Sequence, residues 1–418
     1  MDRKIKIGVF GLGRGGAFIN IAPDVGCEVV AICDSLKSKH DAVKQACSKD
    51  VVSYYDFDEF IKHDMDAVVL TNYFNEHAPY AIKALKAGKH VISECTCNST
   101  LAEGVALCRA VEESGKIYMI AENYPYTKFN LGLKDIYKSG ELGRILYAEG
   151  EYNHPINHKD LNQFAPGIDH WRNVMPSTYY CTHALAPLML MTDTMPVSIN
   201  AQSIYTPELC KGTARRAADA CAIMLIRMDN GAIFRTTGWG QLGGHSCWYR
   251  LHGTKGAAEV VRGAGYFGTE KLRVWHEDSN VPEGMEHDRV FDPQWSENGD
   301  LAENTGHGGG DFWVMYYFTE AIRSGKQPYL NVYRGVAMSS VGILGWKSVL
   351  QNGAAFEMPD FSKEESRKKY ENDNFNPFVQ GKHDGKRIQS SSFEGYTPTE
   401  QDIETAKKDW AEIGYLGE

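Results

Sequence analysis

The run Ile5-Lys6-Ile7-Gly8-Val9-Phe10, leading straight into Gly11-Leu12-Gly13-Arg14-Gly15-Gly16, constrains this chain more than any other segment. A short apolar run that delivers a G-x-G-x-x-G turn to a helix is the opening of a dinucleotide-binding βα unit. In that reading Gly11 permits the tight turn and Gly13 lets a pyrophosphate approach the backbone. Gly16 lets helix and strand pack closely, and the phosphates sit at the helix N-terminus, flanked by Arg14 and Gly15. The next apolar run, Glu28-Val29-Val30-Ala31-Ile32-Cys33, ends in Asp34. An acid about 20 residues beyond the turn suits a ribose 2′-hydroxyl and repels a 2′-phosphate, which favours NAD over NADP.

Short apolar runs and amphipathic stretches alternate up to about residue 124. Strands are expected at 66–71, 90–94 and 117–121, and helices at 78–87 and 101–114. Such alternation means a doubly wound parallel sheet, whose ligands lie at the C-terminal ends of the strands. Thr71, Asn72, Glu94, Glu122 and Asn123 fall at such ends. Beyond residue 126 the pattern changes to longer strands at 145–152, 197–205, 220–228, 232–240 and 247–253. Asp229-Asn230-Gly231 between two of them is a hairpin signal. Helices are expected at 312–324 and 332–352, an extended arm over 360–395, and a closing helix from Pro398, with Thr397 as its N-cap and Glu400 completing a capping box. The expected fold is therefore α/β in two domains. Residues 1–124 form a nucleotide-binding Rossmann domain, and residues 125–418 an α+β domain with a large, mostly antiparallel, open-faced sheet.

Composition narrows the function classes. A chain of 418 residues with 43% hydrophobic and 23% charged residues is globular and long enough for two cores. A formal net charge of −10 argues against nucleic acid or an anionic membrane as partner. No signal-peptide h-region opens the chain, and no long uncharged apolar run follows. Ten scattered cysteines fit core-filling thiols in a reducing cytoplasm. Cys95-Thr96-Cys97 lacks a spaced partner pair, and His154 and His158 lack a third ligand, so no metal site is expected.

Several polar clusters follow in the second part: Glu149-Gly150-Glu151-Tyr152-Asn153-His154, Trp171-Arg172, Tyr179-Tyr180-Cys181-Thr182-His183 and Gly306-His307-Gly308-Gly309-Gly310-Asp311-Phe312. Singly, Tyr152 reads as a strand aromatic and His183 as a core histidine. Taken with the glycine turn, Cys33-Asp34-Ser35, His77-Ala78 and Ala87-Gly88-Lys89-His90-Val91, they resemble the glucose-fructose oxidoreductase / inositol dehydrogenase / MocA (Gfo/Idh/MocA) family of NAD(P)-dependent sugar oxidoreductases. The resemblance runs from Lys4 to about Phe361. The family's dehydrogenases carry Glu-Lys-Pro where this chain has Glu94-Cys95-Thr96, and an Asp where it has Tyr179, four residues before the shared His183. The clusters, with Met358-Pro359-Asp360-Phe361, are instead similar to the family's NAD-dependent glycosidase branch, typified by α-N-acetylgalactosaminidases. That branch reads His-Asp where this chain reads His154-Pro155.

The resemblance to that branch implies a redox-assisted hydrolysis: transient oxidation at C3 of the sugar, deprotonation at C2, loss of the C1 substituent, addition of water and re-reduction. It implies Tyr152 as the base at C2, His183 at the C3 hydroxyl proton, and Glu122, Tyr180 and Arg172 as further catalytic groups. His154, Tyr179, His307 and Asp311 are implied as substrate contacts. The expected cofactor contacts are Gly11, Gly13, Arg14, Gly15, Gly16, Asp34, Thr71, Asn72, His77, Glu94 and Asn123. The alternatives are a plain NAD-dependent sugar or glycoside 3-dehydrogenase and a non-catalytic NAD-binding protein. The expected partner is a small carbohydrate or glycoside, and the expected assembly a homo-oligomer (dimer or tetramer) in the cytoplasm.

Overall fold

The computed structural model describes residues 3–378, 388–393 and 396–415. Two compact units divide the chain: Met1–Gly132 with Gln294–Ser339 and Asp360–Asn372, and Leu133–Pro293 with Ser340–Pro359 and Asp373–Glu418.

The first unit holds a six-stranded sheet of β1 (Ile5–Phe10), β2 (Cys27–Cys33), β3 (Val52–Tyr54), β4 (Ala67–Leu70), β5 (His90–Ser93) and β6 (Tyr118–Ile120), in the order β3-β2-β1-β4-β5-β6. Every pairing is parallel. Ile7, Val9, Val68, Val69, Val91 and Ile92 are buried in β1, β4 and β5, because helices cover both faces of such a sheet. The strand order reverses between β1 and β4, where Phe10 pairs with Leu70, so Gly11 and Thr71 emerge side by side at the switch point. The helix Leu101–Ser114 starts on a reciprocal cap between Thr100 and Glu103 and ends at Gly115, whose φ of 62° is the left-handed conformation of a helix stop.

Among the described residues the second unit holds nine strands: β7 (Ile145–Asn153), β8 (Pro196–Tyr205), β9 (Asp219–Met228), β10 (Ile233–Thr237), β11 (Ser246–Gly253), β12 (Gly256–Val260), β13 (Leu272–His276), β14 (Asp288–Phe291) and β15 (Phe356–Glu357). Their order is β14-β13-β12-β11-β7-β10-β9-β8-β15, antiparallel except where β7 meets β10. The Asp229-Asn230-Gly231 turn joins β9 to β10 as expected, with Gly231 N–H donating to the Met228 carbonyl at 2.9 Å. One face presents a cross-strand row of alternating charge. Arg273 lies opposite Glu259, Glu259 opposite Arg250, Arg250 opposite Glu149, and Glu149 opposite Arg235. Opposite charges directly across a pair stabilise a solvated face.

The apolar helix Thr182–Thr192 packs on β7. Its approach is closest at Gly150, where an added Cβ would lie 2.0 Å from the Ala184 carbonyl oxygen. No other residue type admits the helix backbone at that distance from the strand.

The closing helix spans Glu400–Glu412, and its N-cap is Thr399 rather than Thr397. Thr399 accepts from Asp402 N–H at 3.2 Å, and the Asp402 carboxylate accepts from Thr399 N–H at 2.9 Å. Asp402 also accepts from Gly212 N–H at 2.7 Å, a tertiary bond that favours this start over the one completed by Glu400. The expected arm over 360–395 contains a short helix, Glu364–Arg367, and part of it lies outside the described residues.

Gly150→Ala is expected to lower stability by ~1–3 kcal/mol through overpacking at this contact. A melting temperature unchanged from wild type would show that the helix can move away at no cost.

Candidate active site

The glycine turn is built as the sequence suggests, with one exchange of roles. Gly11 has φ 91°, and a Cβ there would lie 2.5 Å from the Thr71 carbonyl. Gly13 is open: a Cβ would meet only Lys39 Nζ, at 3.9 Å, so its face is free for a ligand. The close packing assigned to Gly16 belongs to Gly15, whose Cβ would fall 2.7 Å from Val9 and 2.9 Å from the Thr71 hydroxyl, whereas at Gly16 the nearest atom is Val43 at 3.5 Å. The helix turns so that its second glycine, not its third, faces the strand.

The expected cofactor residues gather around this turn. The Asp34 carboxylate accepts from Leu12 N–H at 2.8 Å and from Leu36 N–H at 2.9 Å, so it stands at the mouth of the turn. The Thr71 hydroxyl lies 2.9 Å from the Phe10 carbonyl and 2.5 Å from that of Gly11. Both polar atoms of the Asn72 side chain are buried without a partner among the described residues, an arrangement that fits a polar ligand group. His77 is buried, with Nδ1 2.9 Å from the Thr96 carbonyl and Nε2 3.2 Å from that of Asn72; burial keeps its pKa below the ordinary imidazole range. It braces the ends of β4 and β5 against one another. The open Gly13 face, the placed Asp34 carboxylate and the unpartnered Asn72 amide together fit NAD.

Arg14 does not point free into this crevice. Its Nε donates to Glu94 at 2.7 Å, and its two terminal nitrogens donate to Asp311 at 2.8 and 2.5 Å. Asp311 also accepts from Asn123 Nδ2 at 2.9 Å and lies 3.1 Å from His307 Nδ1. Burial opposes the Asp311 charge, but hydrogen bonds from His307 and Arg14 overcome it and hold the carboxyl below the usual aspartate range. Asp311 and His307, expected as substrate contacts, thus stand in the first unit with both Asp311 oxygens occupied. Cys95, in the lysine's place, is buried with its N–H 3.3 Å from Glu94. Glu122 is wholly buried just past β6.

In the second unit, Tyr152 near the end of β7 and His183 in the first turn of the helix Thr182–Thr192 are both buried and meet edge to face, with ring centroids 4.6 Å apart. Tyr180 closes the group, 5.0 Å from His183 and 5.8 Å from Tyr152. Local chemistry fixes His183. Pro187 has no N–H for the carbonyl four residues before it, and that carbonyl is His183's. The Tyr249 hydroxyl takes it instead, donating at 2.6 Å. Tyr249 lies opposite Gly150 on the neighbouring strand, so the glycine that admits the helix and the tyrosine that holds it are one cross-strand pair.

Arg172 stacks on Trp171, with its guanidinium carbon 4.3 Å from the ring centre. The neighbouring His170 is pushed down to about 3 by burial, with the Arg172 charge adding to it. Tyr179 is fully buried, edge-on to Phe378 at 5.4 Å. His154, half-buried, stands 6.0 Å from Tyr152, 4.9 Å from His245 and 5.4 Å from Tyr266. Sequence reasoning missed His245 and Tyr266. Their only signals are the glycine-flanked stretches Gly243-Gly244-His245 and Gly265-Tyr266-Phe267-Gly268 between strands.

A doubly wound sheet with this crevice, followed by a large open-faced sheet, defines an NAD-binding oxidoreductase architecture. Three family models match in succession: "Oxidoreductase family, NAD-binding Rossmann fold" over residues 5–122, "GFO/IDH/MocA C-terminal domain" over 131–259, and "Glycosyl hydrolase 109, C-terminal domain" over 243–368. The chain belongs to the Gfo/Idh/MocA family and carries the C-terminal domain of glycosyl hydrolase family 109. It is 25% identical over 396 residues to a glycosyl hydrolase family 109 protein of Solibacter usitatus, covering 86% of this chain and 88% of that one. It is 25% identical over 406 residues to the alpha-N-acetylgalactosaminidase of Shewanella oneidensis, covering 86% and 85%. In fold it is similar to levoglucosan dehydrogenase in complex with NADH and levoglucosan, with a TM-score of 0.70 at 19% identity over 85% of this chain and 100% of that one. It is likewise similar to the aldose-aldose oxidoreductase of Caulobacter crescentus, with a TM-score of 0.66 at 19% identity over 85% and 100%. Among the described residues, no helix is long and apolar enough to cross a membrane.

Asp311→Asn should cost ~3–5 kcal/mol at neutral pH, since it breaks a buried pair. Because the folded carboxyl titrates below its unfolded value, its stabilisation is complete above the ordinary aspartate range and fades as pH falls through and below it. Denaturant melts across pH should therefore show the wild-type advantage shrinking in acid. An advantage that does not change with pH would contradict the assignment.

Proposed function

We propose that this chain is an NAD-dependent glycosidase that cleaves its substrate by transient oxidation of the sugar. The observation that carries the reading is the buried Tyr152–His183 pair at 4.6 Å, in a chain with Cys95 where the family's dehydrogenases keep a lysine. Gly11, Gly13, Asp34 and Asn72 would hold NAD, with Arg14, Glu94, Asp311 and His307 bracing the turn. When bound, NAD supplies reversible oxidation at C3 of the sugar.

The chain's own groups move the protons. His183, fixed by Tyr249, takes the proton of the C3 hydroxyl and later returns it. A carbonyl at C3 acidifies the neighbouring C–H, so Tyr152 can remove the C2 proton as a phenolate. The C1 substituent leaves with the electron pair of its bond, and water adds to the resulting double bond. Arg172 stabilises negative charge on the oxidised sugar, and Glu122 and Tyr180 bind hydroxyls. No pair of carboxylates across a glycosidic bond is required. The ten cysteines, nine of them buried, support a reducing cytoplasm, and the open sheet face supports a dimer or tetramer.

The test is turnover of a glycoside panel by NAD-loaded enzyme in deuterated water. Deuterium at C2 of the released sugar, with no net NADH, is the expected result, and Tyr152→Phe should slow release by ~10²-fold or more. NADH accumulation with protium retained at C2 would overturn the reading in favour of a plain 3-dehydrogenase.

A further inference from the structure

The aromatic groups of the second unit continue outward from Tyr152. His154 directly follows the end of β7, and its ring lies 6.0 Å from that of Tyr152. Ser246 pairs with Asn153 at the end of the β7–β11 ladder, and the adjoining His245 brings its ring to 4.9 Å from that of His154. Tyr266 is placed by its carbonyl, which accepts from Cys247 N–H at 2.8 Å, and Cys247 lies opposite Tyr152. The three rings close on one another: His154–His245 at 4.9 Å, His154–Tyr266 at 5.4 Å and His245–Tyr266 at 5.8 Å, every pair steeply inclined. Tyr152 reaches this group at 6.4 Å from Tyr266.

The corner is held by a buried amide. Asn153 donates to the carbonyls of Leu242, at 2.9 Å, and Gly244, and accepts from Leu242 N–H at 3.0 Å. His154 N–H donates to the Gly240 carbonyl at 3.0 Å, and Trp239 Nε1 donates to the His154 carbonyl at 3.2 Å. A glycine-rich loop that would otherwise be free is thus stitched to the end of β7, and it carries His245. Exposure rises along the series, from buried Tyr152 through half-buried His154 and Tyr266 to exposed His245.

We propose that His154, His245 and Tyr266 form the subsite for the leaving group, and that it favours a leaving group with a flat or ring-shaped face. The proposal rests on Tyr152 acting at C2 of the sugar. From that carbon the C1 substituent projects about one ring-width away, and a corner of aromatic edges and faces at that distance takes a ring by stacking and C–H contacts. The corner contributes to selectivity through the leaving group and not to proton transfer at the sugar.

The test uses NAD-loaded protein with 4-nitrophenol as probe, and separately the 4-nitrophenyl and methyl glycosides of whichever sugar gives C2 exchange. Histidine and tyrosine resonances of His245 and Tyr266 should shift saturably with 4-nitrophenol. The double variant His245→Ala/Tyr266→Leu should weaken that binding at least tenfold. His245→Ala alone, at an exposed position, should lower kcat/KM for the 4-nitrophenyl glycoside several-fold while leaving the methyl glycoside and NAD retention unchanged. Unaltered 4-nitrophenol binding in the double variant, or equal losses on both glycosides, overturns the subsite. Intact 4-nitrophenol binding at these residues with no C2 exchange on any sugar would instead overturn the glycosidase reading and leave the ring-binding corner standing.

Discussion

The second unit depends on one contact: the backbone of the helix Thr182–Thr192 pressed against β7 at Gly150. A sheet and a helix ordinarily meet through side chains. Here a missing side chain lets the helix start lie on the strand, and that places His183 against Tyr152. Pro187 releases the His183 carbonyl from the helix ladder, and Tyr249, across from Gly150, collects it. Gly150, Pro187 and Tyr249 thereby set the orientation of His183 against Tyr152.

The first unit shows the same economy with charge. Arg14 sits inside a glycine turn, where a free guanidinium would serve as an anion contact. Two carboxylates claim it instead, and Asp311 alone also draws Asn123 and His307. Burial makes each member costly by itself and the set mutually dependent. The turn is thereby tied to the start of the helix Gly310–Ser324, a segment remote in sequence. What remains open toward a ligand is the bare backbone at Gly13 and the amide of Asn72.

Much of this was legible from sequence, for identifiable reasons. Short apolar runs alternating with amphipathic stretches gave the parallel sheet, since burial on both faces leaves no alternation to misread. The Asp229-Asn230-Gly231 turn declared its hairpin, while Tyr152 and His183, singly a strand aromatic and a core histidine, stand out only through the family resemblance, and the structure brings their rings together. The failures have physical causes too. Gly16 and Gly15 exchanged roles because helix rotation is set by packing on Val9, which spacing does not encode. Thr399 replaced Thr397 because Asp402 gains a distant partner in Gly212. Asp311, expected as a substrate contact, has both oxygens bonded by Arg14, nearly three hundred residues earlier, a pairing that sequence spacing does not encode. His245 and Tyr266 lie on glycine-rich loops without periodicity, and only the Asn153 hydrogen bonds make those loops a wall.

In the proposed reaction, bond cleavage waits on oxidation at C3, by a cofactor that returns what it takes. Release of the leaving group from a glycoside carrying deuterium at C3, measured against the protium compound under kcat/KM conditions, addresses that claim directly. Slower release from the labelled substrate is expected, with the deuterium found again at C3 of the product. Equal rates, with the label never leaving the sugar in a single turnover of NAD-loaded enzyme, would contradict it.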